Sequence, residues 1–164
     1  MHHHRPASHA ASASTPSLDR LALSATVHCL SGCAVGEVLG MVIGSALGWS
    51  NPATIALAVA LAFLFGYAFT MAPLLRAGLG FGAVLKLALA ADTASITIME
   101  IVDNAIMLLI PGAMDAPLSS PLFWGALAVA LLVAGAAAFP LNRWLIARGR
   151  GHAVVHRHHG HHHH

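Results

Sequence analysis

Residues 28–48 read HCLSGCAVGEVLGMVIGSALG, and this stretch decides the fold. It is apolar over more than the roughly 20 residues a helix needs to cross a bilayer, yet it carries Glu37 in its middle. Ionisable groups at that depth are costly and mark function more often than packing. Written as a helix, the stretch has two stripes at steps of four. One reads Cys29, Cys33, Glu37 and Met41; the other reads Gly32, Gly36, Gly40, Gly44 and Gly48. Glycines at that spacing let a second helix backbone come close, so one face is built for packing and the other for chemistry.

The rest of the chain has the same character. Hydrophobic residues make up 57% of 164 positions and charged residues only 9%, with a mean hydropathy of +0.74. That places the chain among polytopic membrane proteins rather than soluble domains. Four apolar runs are long enough to span, at residues 23–49, 53–74, 85–110 and 122–146. The fold class expected is therefore all-α, a bundle of four transmembrane helices joined by short loops.

The basic residues orient it. Arg5 and Arg20 precede the first span, Arg76 and Lys86 bracket the second loop, and Arg143, Arg148, Arg150 and Arg157 follow the fourth span. The loops at 50–52 and 111–121 contain no Lys or Arg. By the positive-inside rule both termini are expected to be cytoplasmic, with the protein multi-pass in the cell membrane. Trp49 and Trp124 then fall at the outer interface and Trp144 at the inner one, where amphipathic rings sit well.

Three regions follow: a His/Ser/Ala-rich arm over residues 1–20, expected to be disordered and cytoplasmic, a membrane domain over 21–148, and a His-rich tail over 149–164. The tails hold twelve of the thirteen histidines: His2, His3, His4 and His9, then His152, His156, His158, His159 and His161 to His164. Such clusters bind Zn, Ni or Cu ions adaptably, and the alternative reading is an expression tag. On a reducing cytoplasmic side the cysteines are expected to be thiols.

The remaining histidine, His28, adjoins Cys29. Cys29 and Cys33, one helical turn apart, have Cβ atoms some 5–6 Å apart, too far for a relaxed disulfide but suitable for converging on one metal ion. His28 is a poorer third ligand, because adjacent helical residues do not face each other. Taken alone, the pair reads as two small buried thiols at a helix interface. The third span changes the balance, because it carries Asp92, Glu100 and Asp103 together with Met99, Asn104 and Met107. On insertion scales each such carboxylate costs about 2.5–3.5 kcal/mol at the bilayer centre, and packing alone does not justify three. Counted from the inner ends of spans one and three, Asp92 matches the level of His28 to Cys33, and Glu100 matches Glu37. Asp103, Asn104 and Met107 lie with Met41 in the outer half. Met71, on the inward-running second span, is expected at the depth of the cysteines, where two thiols and a thioether would form a soft layer suited to Cu(I). The fourth span has no ionisable group before Arg143 and is expected to support the column from outside.

The strings HCLSGCAVGEVLGMVIG, FGYAFTMAPL and ADTASITIMEIVDNAIML resemble the bacterial membrane family known as domain of unknown function 4396. The resemblance runs from about Leu21 to Arg148 and leaves out the His-rich tails. It implies one compact membrane unit and brings no established activity with it.

Several functions are excluded or weak. There is no glycine-rich phosphate loop with Lys, no HExxH pair, and no second intramembrane His to serve a Ser or Cys nucleophile. Basic charge spread along one rim gives no support to nucleic-acid binding. The expectation is a non-enzymatic membrane protein that binds and translocates a transition-metal ion, with Cu(I) favoured and the bilayer and the ion as partners. Its expected ligands are Cys29, Cys33, Met71, His28, Glu37, Met41, Asp92, Met99, Glu100 and Asp103. The alternatives are a proton-linked or hard-cation carrier and a non-catalytic structural or regulatory subunit. The glycine ladder serves either an internal contact with span three or a homo-oligomer interface.

Overall fold

The computed structural model describes residues 17–159. Four helices follow one another as α1 (Leu18–Ala46), α2 (Asn51–Arg76), α3 (Phe81–Leu109) and α4 (Pro121–His159). Each contains a segment long and apolar enough to cross a membrane, as a multi-pass protein requires. At 1.5 Å per residue even α2, the shortest with 26 residues, reaches about 39 Å, beyond a hydrocarbon core of about 30 Å.

Local chemistry sets the boundaries. Ser17 caps α1, its hydroxyl accepting from the Arg20 amide, and Asp19 lies in the first turn, favourable at a helix N-terminus. The helix therefore begins before the apolar run expected at residue 23. α2 opens with a proline in its first turn, where the missing N–H costs nothing. Gly48 and Gly78, at φ +64 and +85, close α1 and α2 in the left-handed conformation that L side chains avoid.

The glycine ladder of α1 lies against α2. Gly32, Gly36, Gly40 and Gly44 meet Gly66, Ala62, Ala58 and Thr54 in antiparallel register. A Cβ on Gly32 would stand 2.6 Å from the Gly66 Cα, and one on Gly40 2.7 Å from the Ala58 amide nitrogen. This corrects the expectation for the ladder. The internal partner of Gly32, Gly36, Gly40 and Gly44 is α2, not α3, while a Cβ on Gly48 would have no neighbour within 4 Å.

α4 packs against both α1 and α3. Near the chain termini, Asn142 of α4 donates to Thr26 of α1 at 2.9 Å, both residues buried, and Arg143 pairs with Asp19. At the opposite end, Asn51 donates to Asp115 at 3.0 Å and ties the α1–α2 turn to the α3–α4 loop. Buried Met107, Phe123, Ala126, Leu127 and Ala130 form an apolar core there, with Met41 and Met114 packed against it. Trp49 and Trp124 are exposed toward that end and Trp144 toward the other.

Candidate functional site

α1 buries two adjacent stripes. The glycines face α2, and Cys29, Cys33 and Glu37 face inward beside them. On α3 the buried positions from Asp92 onward are Asp92, Ser95, Ile96, Met99, Glu100, Asp103 and Met107, which at steps of three and four fall on one helical face. The α1 and α3 stripes meet, so the bundle core contains a polar column.

Its rungs run inward from the end that carries the termini. An open groove of about 440 Å³ is lined by Leu21, Ser24, Ala25, His28, Thr70, Pro73, Leu74, Ala91 and Asp92. Asp92 is reached from this groove and accepts a hydrogen bond from the Cys29 thiol, Sγ to Oδ1 3.6 Å. Ser95 follows on α3, close to Cys29. Cys33 next lies within electrostatic reach of Glu100 and Glu37, and Glu37 within reach of Asp103 and Glu100. Beyond Asp103 the core becomes apolar at the Met107 and Phe123 cluster. The column therefore opens at one end and is closed at the other.

The four acids are only 4–6% exposed. Both oxygens of Glu37, both of Glu100, Asp92 Oδ2, Asp103 Oδ1 and Ser95 Oγ are buried without a hydrogen-bond partner. An ionised carboxylate can only accept, so it needs donors. Three side-chain donors nearby are used elsewhere. Asn104 donates to the Glu100 main-chain oxygen at 2.9 Å, Asn142 to Thr26, and His28 bonds the Phe69 carbonyl. A buried polar atom left unpaired costs about 1–3 kcal/mol, and a charged one more. Beside these six carboxyl oxygens the column itself leaves only the Ser95 hydroxyl and the Cys33 thiol as free donors, too few to satisfy all of them as ionised carboxylates.

The depth count along spans one and three thus brings together the residues it paired: Cys29 with Asp92, and Glu37 with Glu100, with Asp103 joining the second pair. Met71 is placed differently. It lines a second groove with Leu64, Tyr67, Ala68, Ala72, Leu75, Phe81 and Leu85, and takes no place in the cysteine layer. The thioether packed with Cys29 and Cys33 is Met99, in a cluster with Ala62, Ile96, Ala134 and Ala138. Met41 packs against the apolar plug rather than among the acids. His28 is exposed at the groove. Both cysteines are free thiols. Among the described residues no group of three or more His, Cys, Asp or Glu side chains is arranged to hold a metal ion. The side chains of the tail histidines lie outside the described residues.

Two residues were not singled out from sequence, the buried Asn142 and the exposed Pro73. Asn142 adjoins Arg143, the charge that marks the end of the fourth span, and so was not read as a core group. Pro73 lies inside α2, and its missing N–H matters to His28.

Comparison with known proteins gives one match. The family model for domain of unknown function DUF4396 matches residues 20–151, and the chain belongs to that family. No curated protein and no solved structure matches it.

Proposed function

For this member of the family we propose a proton-linked cation carrier, in which the carboxyl groups of Glu37, Glu100 and Asp103 hold exchangeable protons in the middle of the membrane. The observation that carries this reading is the set of buried, unpartnered carboxyl oxygens. Carboxyl groups crowded in low dielectric avoid mutual repulsion by sharing protons or flanking a cation, and exchange between the two couples cation movement to proton movement. The groove at His28 and Asp92 supplies the inner entrance, with the termini on the cytoplasmic side as the distribution of Lys and Arg indicates. Asp92 and Cys29 form the first rung, Cys33 and Glu100 the second, Glu37 and Asp103 the third. Passage to the far side requires the Met107–Phe123 plug to part.

A second reading, transport of a soft transition-metal ion such as Cu(I), is favoured by Met99 packing in one buried cluster with Cys29 and Cys33. The two readings separate on cargo. In vesicles loaded with a pH-sensitive dye, the carrier moves protons against an alkali or divalent cation gradient, and Glu37→Gln or Glu100→Gln removes the coupling. Proton movement that survives both substitutions refutes the proton-linked reading.

A further inference from the structure

His28 is the only histidine outside the tails, and the column does not use it as a donor. Its ring nitrogen Nε2 bonds the main-chain carbonyl of Phe69 on α2, and its ring meets the Phe69 ring edge-on, with centroids 6.1 Å apart. In an α-helix the Phe69 carbonyl would accept from the N–H four residues on. That residue is Pro73, which has no N–H, and α2 continues through it to Arg76. The proline therefore opens a carbonyl inside a helix, and a side chain from the neighbouring helix fills it. Because a carbonyl accepts only, Nε2 carries the proton in this bond. Both His28 and Pro73 line the groove that leads to Asp92.

We propose that Pro73 and His28 form a clasp that pins α1 to α2 at the mouth of the groove and sets how readily Asp92 and Cys29 are reached from it. The inference rests on the reading of that groove as the entrance to the column. The glycine seam between α1 and α2 ends at the Gly32–Gly66 contact. From there toward the termini the pair has no further glycine contact, and the clasp sits one turn beyond it. His28 is thus a positioning residue. It needs no contact with the cargo, only a donor directed at Phe69.

The test is the rate at which N-ethylmaleimide alkylates Cys29 in the full chain reconstituted in vesicles, with each thiol resolved by mass spectrometry. Cys29 reports because it bonds Asp92, which lines the groove, whereas Cys33 lies a turn deeper. His28→Leu removes the donor and should speed Cys29 labelling about fivefold, the shift in an opening equilibrium that a typical net hydrogen bond supplies. His28→Gln keeps an N–H donor and should stay near the wild-type rate. Pro73→Ala returns an N–H to the Phe69 carbonyl, which has two lone pairs, and should give a smaller rise in the same direction. Labelling of Cys33 should change less in every case. Wild-type Cys29 rates in both His28→Leu and Pro73→Ala overturn the clasp, as does a Gln variant that behaves like Leu. The carboxylic-acid infrared band of the column is the separate reference. If the band persists while the labelling rates do not move, the clasp fails and the carrier reading stands. A missing band with altered rates has the opposite meaning.

Discussion

Replacing Gly36 by alanine should disrupt the bundle more than its single methyl group suggests. The new Cβ would lie 2.5 Å from the Leu61 carbonyl carbon, and closer still to the Ala62 amide nitrogen and Cα. Ordinary van der Waals contact begins near 3.4 Å, so α1 and α2 must separate by about 0.9 Å or more. All the obstructing atoms are main chain, and no rotamer change relieves them. Forced insertion of extra methyl groups into a packed core costs about 1–3 kcal/mol. This site belongs at the upper end, because Gly32, Gly40 and Gly44 lie on the same seam and are pried apart with it. Gly125→Ala is the control. It adds the same methyl to α4, where nothing lies within 4 Å, and by helix propensity it should be neutral or stabilise by about 0.5–1 kcal/mol. Reversible unfolding in mixed detergent micelles, followed by circular dichroism, measures both. Equal stability of the two variants would refute the close α1–α2 seam.

Other consequences are simpler to check. Asn142→Leu removes the donor to Thr26 between α4 and α1 and should cost about 0.6–1.5 kcal/mol in the same unfolding assay, with α-helix content unchanged. Met71→Leu should leave ion binding and Cys29 labelling unaltered, since Met71 faces a separate groove, whereas Met99→Leu should alter both. On the proton-linked reading, a chain whose twelve tail histidines are replaced by alanine holds less than stoichiometric copper under reducing conditions. Cys29→Ser with Cys33→Ser then leaves the content unchanged. Stoichiometric copper lost in the double variant, measured by elemental analysis, would favour the soft-metal reading.

The four helices are legible because unbroken apolar length is a property of the sequence itself. Depth is legible too, since counting residues along parallel spans one and three places Cys29 beside Asp92 and Glu37 beside Glu100. Direction around a helix axis is harder. Met71 arrives at the right depth, but it is five residues past Gly66, and at about 100° per residue that turns it roughly 140° away from the seam. The stripe at Asp92, Ser95, Met99, Glu100 and Asp103 has the spacing of one face, and Met99, already among the expected ligands, takes the place beside the cysteines that was assigned to Met71. The ladder's partner was not readable, because small residues at steps of four also occur on α2 as Thr54, Ala58, Ala62 and Gly66, and sequence alone does not pair two such faces. The bond from His28 to the carbonyl freed by Pro73 depends on that pairing and was out of reach for the same reason.

The central claim is that the buried carboxyl groups hold exchangeable protons, and infrared spectroscopy of the reconstituted protein at neutral pH tests it most directly. A carboxylic-acid carbonyl band, distinct from the ionised carboxylate bands, should be present in the wild type and shift on transfer from H₂O to D₂O. It should weaken in Glu37→Gln and again in Glu100→Gln, while both variants stay folded. A wild-type spectrum with carboxylate bands alone, unchanged apart from intensity in the two Gln variants, would contradict the account.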